Sequence, residues 1–398
     1  MKPFSAKKGV PGFLFSGISS GIKKAGKDLG LIMSATPFSV AGVFTKNRVK
    51  AAPVLLCKKR VANGTVQAVL ANSGNANACT GRQGATAAAK TCAAVAGRLG
   101  IHENLVAPCS TGVIGVPLPV PSIVHHLPAL ITNASSAGIP DFAEAIMTTD
   151  SFPKIVTLQH TVDEKTVKMC GIAKGAGMIM PDMATMLAFV VTNAAVDRRL
   201  LGAMLKSQVN ETFNRITVDG DMSTNDTVLV LANGCSESRV GTRGSKAGRA
   251  CEEMLHRVMK KLALMIVKDG EGATKLLTIT VHGAKTQTDA KKSCFAVANS
   301  NLVKTAFFGE DFNWGRIMGA LGSSGAVFDP AKVALYFNDI PAVSHGMGVL
   351  KNSARLKRAV KKRSINVKID LSNGTHSFEV ATCDLSYDYV RINADYTT

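Results

Sequence analysis

The chain has 398 residues, of which 46% are apolar and 19% are charged, and its formal net charge is +19. This balance is typical of a globular protein with a sizeable core and excludes a disordered or fibrous chain. The length allows two domains, or one large layered domain with an appendage.

The first 60 residues are predicted to form short strands separated by turns, among them LGLIMSA and SVAGVFT. The opening MKPFSAKKGVPGFLFSG is a poor signal peptide because its apolar run is broken by Pro11 and Gly12. A third strand, in VQAVLANSGNANACTG, precedes an alanine-rich helix, TGRQGATAAAKTCAAVAGRLG, which is predicted to stop at Gly100.

Residues 105–140 contain no Asp, Glu, Lys or Arg, which raises the question of a membrane span. Six prolines in this stretch argue against a spanning helix. His125 and His126 lie in the same stretch without a nearby carboxylate, so a metal site there is not expected. We therefore expect a soluble, cytoplasmic protein.

In the stretch KGAGMIMPDMATMLAFVV, residues 174–191, Thr185 lies at the start of an apolar run. This run predicts a buried strand. Thr185 by itself fits a β-branched core position. The alternative is a nucleophile, because a threonine freed at its amino side gains an α-amine with a pKa of roughly 7.7 to 8 that can act as its base. Ala184 is small enough to let the Thr185 hydroxyl approach the preceding carbonyl.

Two further helices are predicted in LLGAMLKSQVNETFNRI and AGRACEEMLHRVMKKLALMIVKDG. A new strand, TKLLTITVHGA, begins near residue 275 and is followed by a polar segment for which no helix or strand is predicted. Because the strand–helix alternation is irregular, a layered α/β fold is favoured over a doubly wound parallel sheet. We expect a catalytic α/β domain in residues 1–275 and a smaller α/β domain in residues 276–398.

The segment KNSARLKRAVKKRSINVK, from Lys351 to Lys368, has eight basic residues and no acidic one. Nucleic-acid binding is one interpretation. Against it, the segment has no aromatic side chain that could stack on a base. A solvated basic helix face is favoured, and a basic surface would also attract anionic metabolites such as glutamate.

Nine cysteines are scattered along the chain without CxxC spacing. The odd number and the small or apolar neighbours predict reduced, buried thiols rather than a disulfide framework or a zinc site.

Five polar segments are dense in hydrogen-bonding groups and could each be no more than a capped turn: PCSTGVIG at 108–115, MTTD at 147–150, DGDMSTNDT at 219–227, KDGEGATK at 268–275 and GEDFNWGR at 309–316. The first offers small residues and backbone N–H groups suited to an oxyanion. DGDMSTNDT resembles a calcium loop but lacks the terminal Glu and the full spacing, so we expect no metal there.

Taken together, KGAGMIMPDMATMLAF, STGVIG, DGDMSTNDTV, DGEGATK, GEDFNWGR and the tail CDLSYDYVRINADYTT resemble the ornithine acetyltransferase family, also called glutamate N-acetyltransferase. The opening GIKKAGKDLGLIMSATPFSVAGVFTKNRVKAAPV is similar to the same family. The resemblance runs from about residue 9 to the C-terminus, with its motifs in the family's order.

The resemblance implies self-cleavage between Ala184 and Thr185, giving chains of residues 1–184 and 185–398, with Thr185 as the nucleophile of the second chain. It assigns Thr111 and Gly112 to the oxyanion hole. It assigns substrate binding to Thr148, Lys174, Thr185, Glu271, Asn393 and Thr398. Two positions depart from the family pattern, Met222 in DGDMSTNDT and Thr397 in the tail.

The implied activity is transfer of the acetyl group of N2-acetyl-L-ornithine to L-glutamate in arginine biosynthesis. The resemblance implies no cofactor, no nucleic acid and no membrane, and a heterotetramer of two α and two β chains. Whether acetyl-CoA is a second acetyl donor is left open. A self-processing aminopeptidase or amidohydrolase, in which water attacks the ester, and a basic nucleic-acid-binding protein remain as alternatives.

Overall fold

Apolar strands and amphipathic helices alternate along the first two thirds of the chain and build one compact unit. The computed structural model describes residues 1–180 and 186–395. In these residues the first unit comprises Met1–Asn214 and Asp221–Ile266. Its strands are β1 Leu14–Ile18, β2 Leu29–Phe44, β3 Thr65–Asn72, β4 Val106–Ser110, β5 Lys154–Val162, β6 Lys165–Lys174, β7 Leu187–Thr192, β8 Ala195–Val196, β9 Thr227–Ala232 and β10 Arg239–Val240. Its helices are α1 Ala52–Val61, α2 Gly81–Leu99, α3 Val120–Thr132, α4 Ile139–Ala145, α5 Arg198–Glu211 and α6 Lys246–Lys268, the last running two residues past the unit.

The main sheet of this unit is mixed. Its strand order in the described residues is β4-β3-β2-β9-β7-β6-β5, and β1 also pairs with β2. The pairs β3–β4 and β7–β9 are parallel, and the other pairs are antiparallel. The irregular crossovers expected from the sequence are present, and the layered α/β fold is confirmed.

Both faces of the sheet are covered, as the alternation of side chains along β3 shows. Ala68 and Leu70 pack into one apolar cluster with residues of α2 and α3. Val69 and Ala71 point the other way, into a cluster that includes Phe142 of α4. Because a strand alternates its side chains, two covered faces require a nearly continuous apolar run. β7 and β9 are accordingly buried at every position.

The prediction of short separate strands in the first 60 residues is wrong for LGLIMSA and SVAGVFT. These runs form the single 16-residue strand β2. Its pairing register with β3 shifts between Met33 and Phe38, and the residues between them include an exposed Pro37. A bulge accommodates this proline without ending the strand, because the extra residues of a bulge do not take part in the hydrogen-bond ladder between the two strands.

The alanine-rich helix is confirmed as α2. Its stop is also where the sequence predicts it, because Gly100 adopts the left-handed conformation (φ 65°) and donates its N–H to Ala96 O. A residue without a Cβ reaches this conformation without steric cost.

The second unit comprises Arg215–Gly220 and the chain from Val267 onward. Its strands are β11 Leu276–Ala284, β12 Ala334–Phe337, β13 Ile340–Ser344, β14 Met347–Gly348, β15 Ser364–Asp370 and β16 His376–Cys383. Its helices are α7 Gln287–Ala298, α8 Asn301–Phe308, α9 Trp314–Gly322, α10 Ser353–Ala359 and α11 Tyr387–Asp395. The sheet order in the described residues is β14-β13-β12-β15-β11-β16, with α7 packed on β11 and β16.

Two expectations for this unit are corrected. The polar segment after β11, for which no helix or strand is predicted, forms the helix α7. The Thr286 side chain caps this helix by accepting the Asp289 N–H. The basic segment 351–368 is helical only in α10, since Ser364–Asp370 alternates buried and exposed side chains as β15. All eight basic side chains of the segment are exposed, as expected for a solvated face, but the prediction of a single helix face is wrong because the segment is only partly helical.

No helix in residues 1–180 and 186–395 is both long and apolar enough to cross a lipid bilayer. Seven of the nine cysteines are buried, Cys79 and Cys235 are exposed, and all nine are free thiols.

Candidate active site

Thr111 directly follows β4 and is held by the backbone of the neighbouring strand. Its N–H donates to Asn72 O at 3.0 Å. Ser110, the residue before Thr111, is also held in place, because the Asn225 side chain donates to Ser110 O at 2.8 Å. The same side chain donates to Ala76 O at 2.7 Å. Asn225 belongs to DGDMSTNDT, so two polar segments that are far apart in sequence meet here.

Gly112 occupies a position that only glycine can fill. Its φ is 132°, and a Cβ at this residue would lie 2.3 Å from the carbonyl carbon of Gly74. The neighbouring backbone therefore excludes every side chain, and the Thr111–Gly112 peptide lies tightly against the loop after β3. A donor pair of one hydroxyl and one backbone N–H on such a rigid support can serve as an oxyanion site.

Lys174 is the last residue of β6, and its side chain is buried, with 4% exposure. Its Nζ lies 3.4 Å from Thr111 Oγ1. Because an ammonium can only donate, Thr111 Oγ1 accepts from Lys174 and keeps its own proton for another acceptor. The structure thus brings together two residues that the resemblance assigns to different tasks.

Asp150 connects Thr148 to the loop after Lys174. Its Oδ2 accepts the Thr148 N–H at 3.0 Å, and its Oδ1 accepts both the Gly175 N–H at 2.7 Å and Lys154 Nζ at 2.6 Å. Burial by itself would raise the pKa of the carboxyl. The charges of Lys174 and Lys154 and the Gly175 hydrogen bond outweigh burial and hold the Asp150 pKa below its ordinary value.

Replacing Asp150 by asparagine is expected to destabilise the protein by about 3 to 5 kcal/mol, because it removes the negative charge from a fully buried ion pair with Lys154. Asp339→Asn is the matched control, since its pair with Lys368 is exposed and such pairs contribute little. Urea unfolding at pH 7 measures both variants, and equal midpoints would contradict a structural role for Asp150.

The pH dependence of this effect has a definite sign. A carboxyl with a lowered folded-state pKa stabilises the fold above its unfolded pKa of about 3.9 and loses that contribution as pH falls through the folded value. The stability difference between the wild type and Asp150→Asn should therefore be constant near neutrality and shrink below about pH 4.

Glu271 and Asn393 meet in the second unit, 122 residues apart in sequence. Asn393 Nδ2 donates to Glu271 Oε2 at 2.8 Å and to Tyr389 O at 3.0 Å. Ser386 Oγ also donates to Gly272 O at 2.6 Å, so α11 and the residue before it hold the DGEG turn in place. Glu271 is 9% exposed.

The remaining predicted site residues, Ala184, Thr185 and Thr398, lie outside the described residues. Thr185 is bonded to Met186, the residue before β7. No cluster of three or more His, Cys, Asp or Glu side chains suited to a metal occurs in the part of the chain that the structure describes.

Sequence reasoning missed Asp150 and Asn225 as individual residues. Both lie in segments that are conspicuous for their density of hydrogen-bonding groups, MTTD and DGDMSTNDT. Gly175, a partner of Asp150, is 25 residues away in the sequence, and Ser110, a partner of Asn225, is 115 residues away. No local pattern therefore distinguishes them from ordinary turn residues.

Comparison with known proteins gives matches along nearly the whole chain. The ArgJ family model matches residues 14–398. The "Arginine biosynthesis bifunctional protein ArgJ" of Geobacter sulfurreducens is 51% identical, covering 98% of this chain and 100% of the relative. The protein of the same name from Syntrophotalea carbinolica is 50% identical, covering 98% and 99%. A crystal structure of an arginine biosynthesis bifunctional protein from Bacillus halodurans, 37% identical, matches with a TM-score of 0.50 over 52% of this chain and 98% of that one. The chain belongs to the ArgJ family.

Proposed function

We propose that the chain transfers the acetyl group of N2-acetyl-L-ornithine to L-glutamate through an acetyl ester on Thr185, releasing L-ornithine and N-acetyl-L-glutamate. It is an acyltransferase of arginine biosynthesis. The observation that carries the proposal is the identity of about half of all residues over 98% of the chain with relatives of that pathway. The buried Lys174–Thr111 contact supports it by supplying a polarised donor next to Gly112.

The self-cleavage between Ala184 and Thr185 is part of the proposal, because it supplies the α-amine that acts as base. That amine takes the Thr185 hydroxyl proton while Oγ attacks the acetyl carbonyl, and the same proton then leaves with the ornithine amine. The Thr111 hydroxyl and the Gly112 N–H donate to the oxyanion. Lys174 strengthens the Thr111 donor because a hydroxyl that accepts from a cation becomes a better donor.

Thr148, Lys174, Glu271, Asn393 and Thr398 are assigned to substrate binding. A carboxylate suits the ammonium groups of ornithine and glutamate, and an ammonium suits their carboxylates. Asn393 orients the Glu271 carboxylate by donating to Oε2 and leaves Oε1 to a substrate cation.

Glu271→Gln is expected to weaken acetyl-ornithine and ornithine binding by about 1 to 3 kcal/mol, because it removes the charge and keeps the shape. The new amide oxygen can still accept from Asn393, so the fold of the turn should be preserved. Steady-state kinetics with acetyl-ornithine measures the effect, with the exposed Glu103→Gln as control. A wild-type value of kcat/KM in Glu271→Gln would mean that Glu271 only forms part of the turn and does not bind the substrate.

The decisive assay mixes purified protein with acetyl-ornithine and glutamate and follows N-acetylglutamate. Omitting glutamate separates transfer from hydrolysis, because a hydrolase of the self-processing aminopeptidase type would release acetate at an undiminished rate. Replacing acetyl-ornithine by acetyl-CoA shows whether the chain also uses that donor.

The proposal includes a division into a catalytic domain of residues 1–275 and a C-terminal domain of residues 276–398. It includes a heterotetramer of two α and two β chains and a reaction that needs no cofactor, because one covalent ester serves both donor and acceptor. We place the protein in the cytoplasm, where free thiols such as those found here are kept reduced.

A further inference from the structure

The loop between β1 and β2 holds Lys23 on a rigid support. The fully buried carboxylate of Asp28, at the end of this loop, accepts four hydrogen bonds from it. Its Oδ1 accepts the Ser20 N–H at 2.6 Å and the Ser20 hydroxyl at 2.8 Å. Its Oδ2 accepts the Ile22 N–H at 2.8 Å and the Lys23 N–H at 2.9 Å. The backbone of Lys23 is therefore fixed before its side chain begins.

The Lys23 side chain passes close to the candidate oxyanion site. A Cβ on Gly74 would lie 2.6 Å from Lys23 Cγ, and a Cβ on Gly112 would lie 2.3 Å from the carbonyl carbon of the same Gly74. The Ser73 N–H also donates to Asp28 O at 2.9 Å, which ties the Lys23 loop to the loop after β3. Because neither glycine has a side chain, the Lys23 stem lies against backbone that in turn contacts Gly112.

The ammonium of Lys23 reaches the polar network around Asp150. Its Nζ donates to Met147 O at 3.0 Å, and the next residue, Thr148, donates its N–H to Asp150 Oδ2. An ammonium has three donors, and Met147 O is the one acceptor that Lys23 Nζ has among residues 1–180 and 186–395. The half-buried side chain therefore has two donors left for a ligand.

The surroundings of Lys23 favour an incoming anion. Burial lowers the pKa of the Lys23 ammonium from its ordinary value, Asp28 and Asp150 oppose that shift, and the positive charge of Lys174 adds to it. A partly desolvated cation that keeps unused donors is stabilised when a carboxylate binds to it, because the new hydrogen bonds are charge-assisted.

The proposed reaction brings a carboxylate to this region. In N2-acetylornithine the acetylated nitrogen and the carboxylate are bonded to the same carbon atom. When the acetyl oxygen accepts from the donors of Thr111 and Gly112, the carboxylate is therefore only a few bonds away from them. Glutamate attacks with its α-amine and carries its α-carboxylate at the same separation. The side-chain groups of the two substrates differ and lie farther from the reacting atoms.

We propose that Lys23 binds the α-carboxylate that N2-acetylornithine and glutamate share, an assignment that rests on the proposed function. The contact with Met147 O orients the ammonium, and the remaining donors of Nζ hold the carboxylate oxygens. Lys23 is thus a substrate-binding residue that selects amino acids over simple amines. The analogue that exposes this selection is N-acetyl-1,4-diaminobutane, which lacks only the carboxylate of N2-acetylornithine.

Lys23→Met keeps an unbranched stem beside Gly74 and removes the charge. Its kcat/KM for N2-acetylornithine should fall by about 10- to 100-fold, the loss of a charge-assisted hydrogen bond. Its kcat should change little, because the carboxylate is bound equally in the ground state and the transition state. Its kcat/KM for N-acetyl-1,4-diaminobutane should match the wild type. Lys23→Arg keeps a cation and should recover part of the loss, and Lys24→Met, at the exposed neighbouring residue, is the matched control.

A second measurement uses the wild type and does not depend on the folding of a variant. Ornithine at concentrations well above its inhibition constant should slow the modification of Lys23 by a lysine-selective acylating reagent, as followed by peptide mass spectrometry. The amine 1,4-diaminobutane should give no such protection. The exposed Lys24 is the internal reference for consumption of the reagent. If Lys23→Met does not fold, as judged by circular dichroism, equal protection by the two amines or none by ornithine overturns the inference.

The outcomes separate this inference from the proposed function. A wild type that makes no N-acetylglutamate from N2-acetylornithine and glutamate overturns both. A wild type that transfers acetyl, with Lys23→Met equally efficient, overturns only the role of Lys23. Equal losses of Lys23→Met on the two donors would mean that Lys23 supports the fold through Met147, and this result also overturns the inference. A loss confined to the donor that has a carboxylate supports it.

Discussion

Replacing Thr185 by alanine is expected to give an uncut and inactive chain. The same hydroxyl is proposed to cut the chain and to carry the acetyl group, so its removal abolishes both steps. Wild-type protein should run as fragments of about 184 and 214 residues, the arithmetic of a cut before Thr185. Mass spectrometry and the acetyl-transfer assay measure the two losses, and turnover by Thr185→Ala would refute the nucleophile assignment.

Thr185→Ser is the matched control, because it keeps a hydroxyl and an eventual α-amine. Some cutting and some transfer should therefore survive. The serine enzyme should be slower, since it lacks the methyl group that restricts χ1 of threonine. A nucleophile displaced by about 1 Å can lose on the order of 10²-fold in rate.

The covalent intermediate gives an independent measurement on the wild type. Brief incubation with acetyl-ornithine in the absence of glutamate should add one acetyl group, roughly 42 Da, to the fragment that begins at Thr185. Acetylation of the first fragment instead would place the nucleophile elsewhere.

Thr111→Ala is expected to lower kcat by roughly 10²- to 10³-fold with little change in KM. The hydroxyl donates to charge that develops mainly in the transition state, so its loss affects the chemical step more than substrate binding. Pre-steady-state measurement of acetyl-enzyme formation isolates that step. An unchanged kcat would remove Thr111 from the site.

Thr111→Ser provides the control for this prediction, because it keeps both the hydroxyl and the acceptor for Lys174 Nζ. It should retain most of the activity. Equal losses in the serine and alanine variants would mean that Thr111 acts by packing and not by hydrogen bonding. Gly112 cannot be tested by substitution, since any Cβ there meets the Gly74 backbone.

Much of the fold follows from local patterns. The helix α2 could be predicted to its last residue because alanine content and a left-handed glycine act within one turn of backbone. The strand β7 was visible as an apolar run because both of its faces are covered. The continuity of β2 could not be predicted, since the register shift between Met33 and Phe38 belongs to the pairing with β3 and leaves no local pattern in the residues that form it.

The sequence by itself determined the family, the layered α/β class and the identity of the candidate nucleophile, because these depend on the order and spacing of whole motifs. Only the tertiary structure decided which polar residues meet: Lys174 with Thr111, Asp150 with Thr148 and Gly175, and Glu271 with Asn393. It also showed that the buried Asp226 carboxyl accepts the Met186 N–H. The reason is physical. Hydrogen bonds and burial depend on distances of a few ångströms between residues that are up to 122 positions apart, and the folded backbone alone sets those distances.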